Sequence, residues 1–213
     1  MRPAVGRIVC SMWSKGPDSS PASTPAHTSD LPLPAEGSRE LAAIAYHEAG
    51  HVVVGHLLGL QLLDTDLWPD DEGGRGHTHF AHPGSWFHPR RGSLSAGEND
   101  LIDRVLTTFM AGLTAESRFG HEDADGSGYD LDQSMHEWVS LIADSAEERS
   151  AALDGFRDRA ATMIERPQVW GAIEAVASSL LERGQLDGSA AAQIVADALR
   201  GSGEKRKDGS GVT

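Results

Sequence analysis

The sequence predicts a mainly α-helical domain with a small β-sheet or hairpin after its first long helix. Three observations lead there. Apolar residues recur at helical spacing through most of the stretch from 38 to 200. Helix punctuation accompanies them: Ser95-Ala-Gly-Glu98 is a capping box, and Pro167 and Gly184 bracket a later apolar run. Only between Gln61 and Ala81 does the pattern shift to strand character.

The elements follow in order. Residues 1–36 are rich in Pro, Ser and Gly, lack periodicity and read as disordered. The first helix is expected over Ser38 to Leu58, with Gly59 as its C-cap. Gln61 to Trp68 reads as a strand, and Gly76 to Ala81 as a second, in alternation. A Pro/Gly/Trp loop runs to Gly92. The second helix opens at the Ser95 capping box, lines one face with Leu101, Val105, Phe109 and Leu113, and ends at Gly120. An acidic, Gly-rich loop spans His121 to Tyr129. The third helix starts after Asp130 and carries Leu131, Met135, Trp138, Val139 and Ile142. Three more are expected at about 146–165, 167–183 and 188–200. The organisation is thus a disordered 1–36, one domain over 37–201 and a polar tail over 202–213.

A chain of 213 residues with 39% hydrophobic content supports one domain with a core. The net charge of -14 excludes broad nucleic-acid or anionic-membrane binding. Cys10 is the single cysteine, so no disulfide framework exists and a reducing, cytoplasmic location is expected. No segment approaches the ~20 apolar residues that span a bilayer. The only lysines are Lys15, Lys205 and Lys207, so a phosphate-gripping G-x-x-x-x-G-K-[ST] loop is absent from the sequence.

The chemistry concentrates in His47-Glu-Ala-Gly-His51, an H-E-x-x-H motif inside an apolar helix. Four residues make slightly more than one turn, so both imidazoles share a face and can hold one zinc ion. Glu48 lies next round the helix, within reach of a water on the open coordination position, as general base. Gly50 and Gly55 cost about 1 kcal/mol each relative to alanine in a helix interior, which points to close packing or access. The third protein ligand is not fixed by the motif. Glu116, Glu122, Asp123, Asp125, Asp130 and Asp132 are candidates, and Asp130 is favoured because a helix start holds a ligand better than a loop tip. Asp130 also reads as a helix N-cap. Asp123-Ala-Asp-Gly-Ser-Gly128 resembles the opening of a calcium loop, but Ser134 stands where the bidentate glutamate is needed, so it reads as a flexible loop. His77, His79, His82 and His88 form a His-rich stretch that reads as exposed strand and loop rather than a second metal site.

Three motifs carry a family resemblance. Ala45-Tyr-His-Glu-Ala-Gly-His51 resembles the active-site helix of the FtsH-type AAA+ zinc metalloproteases. Met110-Ala-Gly-Leu-Thr-Ala-Glu-Ser-Arg-Phe-Gly120 resembles that family's second signature, and Gly126-Ser-Gly-Tyr-Asp-Leu-Asp-Gln-Ser-Met135 the segment bearing its third zinc ligand. The resemblance covers about residues 38–200. It implies an FtsH-like zinc metallopeptidase fold, one Zn2+ per chain, and Asp130 as third ligand. It places Glu116 behind the metal, able to orient His47 or His51. It also sets His77, Thr78 and His79 on a strand beside the cleft, as an edge that pairs with extended substrate.

The expected function is a metalloendopeptidase acting on unfolded or extended polypeptides, standing alone without the family's ATPase and membrane segments. The alternative is a zinc-bound module that is inactive or partner-dependent, binding polypeptides or working with a separate AAA+ ATPase. A homo-oligomer is a further expected partner state; nucleic acid is not expected.

Overall fold

A computed structural model describes residues 7–13, 38–69, 74–84, 87–120 and 133–204. Six helices and a four-stranded antiparallel sheet make up the described residues. In chain order they are β1 (Arg7–Trp13), α1 (Ser38–Leu57), β2 (Leu62–Pro69), β3 (Gly74–Ala81), α2 (Ala96–Phe119), α3 (Gln133–Val139), α4 (Ala146–Ile164), α5 (Pro167–Arg183), β4 (Gln185–Asp187) and α6 (Gly188–Glu204). The mainly helical fold with a small sheet read from the sequence is therefore present, the sheet having four strands among the described residues.

Helix α1 is the centre of the molecule. Ala43, Ile44, Ala45, Ala49, Val52, Val53 and Val54 are all buried, so this helix is apolar nearly all round. It packs against α2, α5, β2 and β3. Gly59 ends it in the left-handed region, at φ 75°. The Gly59 N–H then reaches the His56 carbonyl and the Leu60 N–H the Gly55 carbonyl, the two bonds of a Schellman motif. The glycines inside the helix have the packing role expected of them. A Cβ on Gly50 would stand 2.5 Å from the Ala111 carbonyl oxygen of α2, and one on Gly55 would stand 2.5 Å from the Phe80 ring of β3.

The sheet order is β1-β3-β2-β4. Strands β2 and β3 pair directly, Thr65 opposite Thr78 and Asp66 opposite His77. Two strands were not foreseen. Gln185–Asp187 is too short to show alternation; it pairs with β2 through Leu186 opposite Thr65, and Asp187 Oδ1 then accepts the Ser189 and Ala190 N–H groups at the start of α6. Arg7–Trp13 lies within the segment read as disordered, yet it pairs antiparallel with β3.

Helix α2 begins at the predicted capping box, with Ser95 and Glu98 each bonding the other's backbone N–H, and ends at Gly120 with φ 92°. Arg118 near its end donates to the Ile164 carbonyl, satisfying the C-terminus of α4. Helix α3 is shorter than expected. It stops at Val139, and Ile142 is an exposed turn residue. The chain must break there because Ser145 and Glu148 form a second capping box that opens α4. Phe87, from the loop after β3, stacks on Trp138 at 5.0 Å and holds α3 against the body.

Candidate metal centre and its general base

The two histidines of the motif point from α1 toward α2. Both are buried, and their rings meet edge to face with centroids 4.7 Å apart. Each is oriented from behind. His51 Nδ1 lies 2.7 Å from the Thr108 carbonyl oxygen. A carbonyl only accepts, so Nδ1 carries the proton and Nε2 holds a free lone pair. His47 Nδ1 donates to Glu116 Oε2 at 3.0 Å, with the same result. Burial pulls the His51 pKa down to about 3, His47 adding to the effect, so the ring stays neutral.

The two Nε2 atoms converge on Gly112. A Cβ there would collide with Nε2 and Cε1 of His51 and stand 2.7 Å from Nε2 of His47. Only a residue without a side chain leaves this space open. Two neutral imidazoles with unprotonated Nε2 atoms facing one cradle are a donor set that suits zinc. Among the described residues no three His, Cys, Asp or Glu side chains gather as a complete site. Asp130, like Glu122, Asp123, Asp125 and Asp132, lies outside the described residues, as does the acidic loop read as flexible.

Glu48 faces the sheet. Its side chain is fully buried, and Oε2 accepts a 2.6 Å hydrogen bond from the Thr78 hydroxyl of β3. Thr78 spends its proton there, so the Thr65 hydroxyl must be the donor in the 2.9 Å contact between the two threonines. Among the described residues Oε1 has no hydrogen-bond partner. Beside it lies Gly76 at φ 88°, where a Cβ would stand 2.8 Å from Oε1. Burial pushes the Glu48 pKa up to about 7, against the opposing pull of His47 and of the Thr78 hydrogen bond. A carboxylate oxygen that is buried, unpaired and near neutrality in pKa is placed to take and return a proton.

The expected site residues thus separate into two groups. His47, Glu48, His51 and Glu116 come together, with Glu116 orienting His47. Thr78 joins them, as a support for the carboxylate rather than as an open edge. His77 and His79 project to the opposite face of the sheet. Their rings stack in parallel, with centroids 6.1 Å apart, and each meets an aspartate on β2: His79 to Asp64 at 2.5 Å and His77 to Asp66 at 3.4 Å. They are mostly buried rather than exposed as the sequence suggested, at 13% and 17% side-chain exposure. The edge of β3 expected to receive substrate is already paired with β1. Gly112, Gly76 and the Thr108 carbonyl were not foreseen, since a glycine's role shows only once the atoms around it are placed.

Comparison with known proteins found no matching family model and no matching curated protein.

Proposed function

We propose that this chain is a zinc-dependent endopeptidase of unfolded or extended polypeptides, a reading supported by its motif resemblance to the FtsH-type peptidase domain. One observation carries the reading. Two imidazoles with their Nδ1 atoms tied off by Glu116 and Thr108 aim their Nε2 atoms at a space kept open by Gly112. Zinc would be held by His47 and His51, with Asp130 as third ligand on the strength of the family resemblance. When bound, the ion supplies Lewis acidity and lowers the pKa of water toward neutrality.

The chain's own residues supply the rest. Glu48 Oε1 receives the proton of the attacking water and delivers it to the leaving amine. Thr78 holds Oε2 so that Oε1 is the reactive oxygen. Burial of Glu48 between α1 and β3 keeps bulk water from that carboxyl. Among the described residues no helix is long and apolar enough to cross a membrane. A cytoplasmic location belongs to this proposal.

The test is ATP-free cleavage of an unfolded protein by the zinc-loaded chain, with Glu48→Gln alongside. The expected outcome is one zinc per chain in both proteins and turnover only in the parent. Full activity in Glu48→Gln would end this mechanism. One zinc per chain with no cleavage by either would favour a partner-dependent or purely binding module.

A further inference from the structure

We propose that Arg7–Trp13 occupies the polypeptide groove of this site as an intramolecular stand-in for substrate, and that the groove opens when the strand leaves. The inference rests on the peptidase reading above for the identity of the competing ligand.

Strand β1 lies antiparallel to β3 with Val9 opposite His79, Cys10 opposite Thr78 and Ser11 opposite His77. Thr78 is the residue that bonds the Glu48 carboxylate. The paired stretch therefore runs alongside the general base. β1 also approaches α1, which carries His47, Glu48 and His51, and α3, which follows directly after the segment bearing Asp130. It thus spans the space bounded by β3, the motif helix and the helix after the third-ligand segment. An extended polypeptide presented to this site would need that space.

The other edge of β3 is bound to β2, so β1 holds the only edge this strand has to offer. Any extended chain that binds by strand addition must take the backbone N–H and C=O groups that β1 now uses. The exchange is close to balanced, because one ladder replaces another. β1 has the advantage of being tethered, which gives it an effective concentration on the order of millimolar. A free substrate of modest affinity therefore competes at a disadvantage.

The test uses the full chain. Adjacent residues of a strand send their N–H groups to opposite sides, so Val9→Pro with Cys10→Pro removes one donor to β3 whichever residue provides it. In a zinc-loaded Glu48→Gln background, binding of a fluorescent, permanently unfolded polypeptide is measured with and without the two prolines. The expected result is an apparent Kd lower by about tenfold or more in the proline variant. Equal affinity in the two proteins, or no binding by either, overturns the proposal. A second measurement needs no change to β1. Saturating polypeptide added to the Glu48→Gln chain should strip amide-exchange protection from residues 7–13 while β3 stays protected. Protection that persists at 7–13 under saturation also overturns it. The two readings fail separately. Tighter binding by the proline variant with no cleavage when Glu48 is intact sinks the peptidase reading and leaves the groove inference standing. Cleavage with the same KM by parent and proline variant does the reverse.

Discussion

At the residue scale the site depends on a space as much as on side chains. Gly112 faces both Nε2 atoms, so Gly112→Ala should lower zinc affinity at least tenfold while circular dichroism stays helical, alanine being the better helix former. Glu116→Ala removes the acceptor behind His47 and should weaken zinc binding by about 10- to 100-fold, read by competition with a chelator. Glu48 gives a prediction in pH. Burial raises its pKa from 4.5 to about 7, so the folded, metal-free protein holds it protonated at no cost below about 4.5 and must bury a charge above 7. Its stabilising contribution is lost as pH rises through that window. Metal-free Glu48→Gln should therefore be more stable than the metal-free parent at pH 8, by on the order of 3 kcal/mol in denaturant titration, with the gap closing toward pH 4.5. His51 titrates in the opposite sense but is common to both proteins, so the difference isolates Glu48. The motif residues were legible in the sequence because four-residue spacing on a helix dictates their shared face. The Thr78 bond and the Gly76 and Gly112 clearances were not, because each joins residues brought together only by packing.

At the element scale the arrangement turns on how closely α1 approaches its neighbours. Gly50 lets the Ala111 carbonyl of α2 come within 2.5 Å of where a Cβ would be. Gly50→Ala must push the helices apart, and it should cost about 1–3 kcal/mol in chemical denaturation, despite alanine's higher helix propensity. Separating α1 from α2 also stretches both bonds behind the histidines, so zinc affinity should fall in the same variant. The helices were readable because their ends carry local chemistry: Ser95 with Glu98, Gly59, Gly120, and Pro167 with Gly184. The sheet was read only in part. β2 and β3 lie close in sequence and alternate. β4 has three residues, and its pairing with β2 is set by where α5 ends. The run Arg7-Ile-Val-Cys-Ser-Met-Trp13 does contain β-branched and aromatic residues, which was the available signal, but its Pro- and Ser-rich surroundings masked it. The length of α3 was missed for a local reason: its apolar spacing continues to Ile142, whereas the Ser145 capping box requires an extended backbone just beyond.

For the whole molecule the balance of charge decides how salt acts. The net charge is -14, and ion pairs such as Arg104 with Asp100 and Arg157 with Asp154 sit at the surface, where each contributes little. Screening should therefore relieve repulsion more than it weakens pairs. Raising NaCl from about 0.05 to 0.3 M should raise Tm by a few degrees, and a fall would mean that the surface pairs matter more than the net charge. The sheet order bears on how the chain assembles. β2 and β3 are neighbours in sequence and can meet early, whereas β1 must wait for a partner that begins at Gly74. During synthesis Arg7–Trp13 leaves the ribosome well before β3 exists. Among the described strands β1 is thus made before its only partner, and α1 and the hairpin can come together around Glu48 before it lies across them.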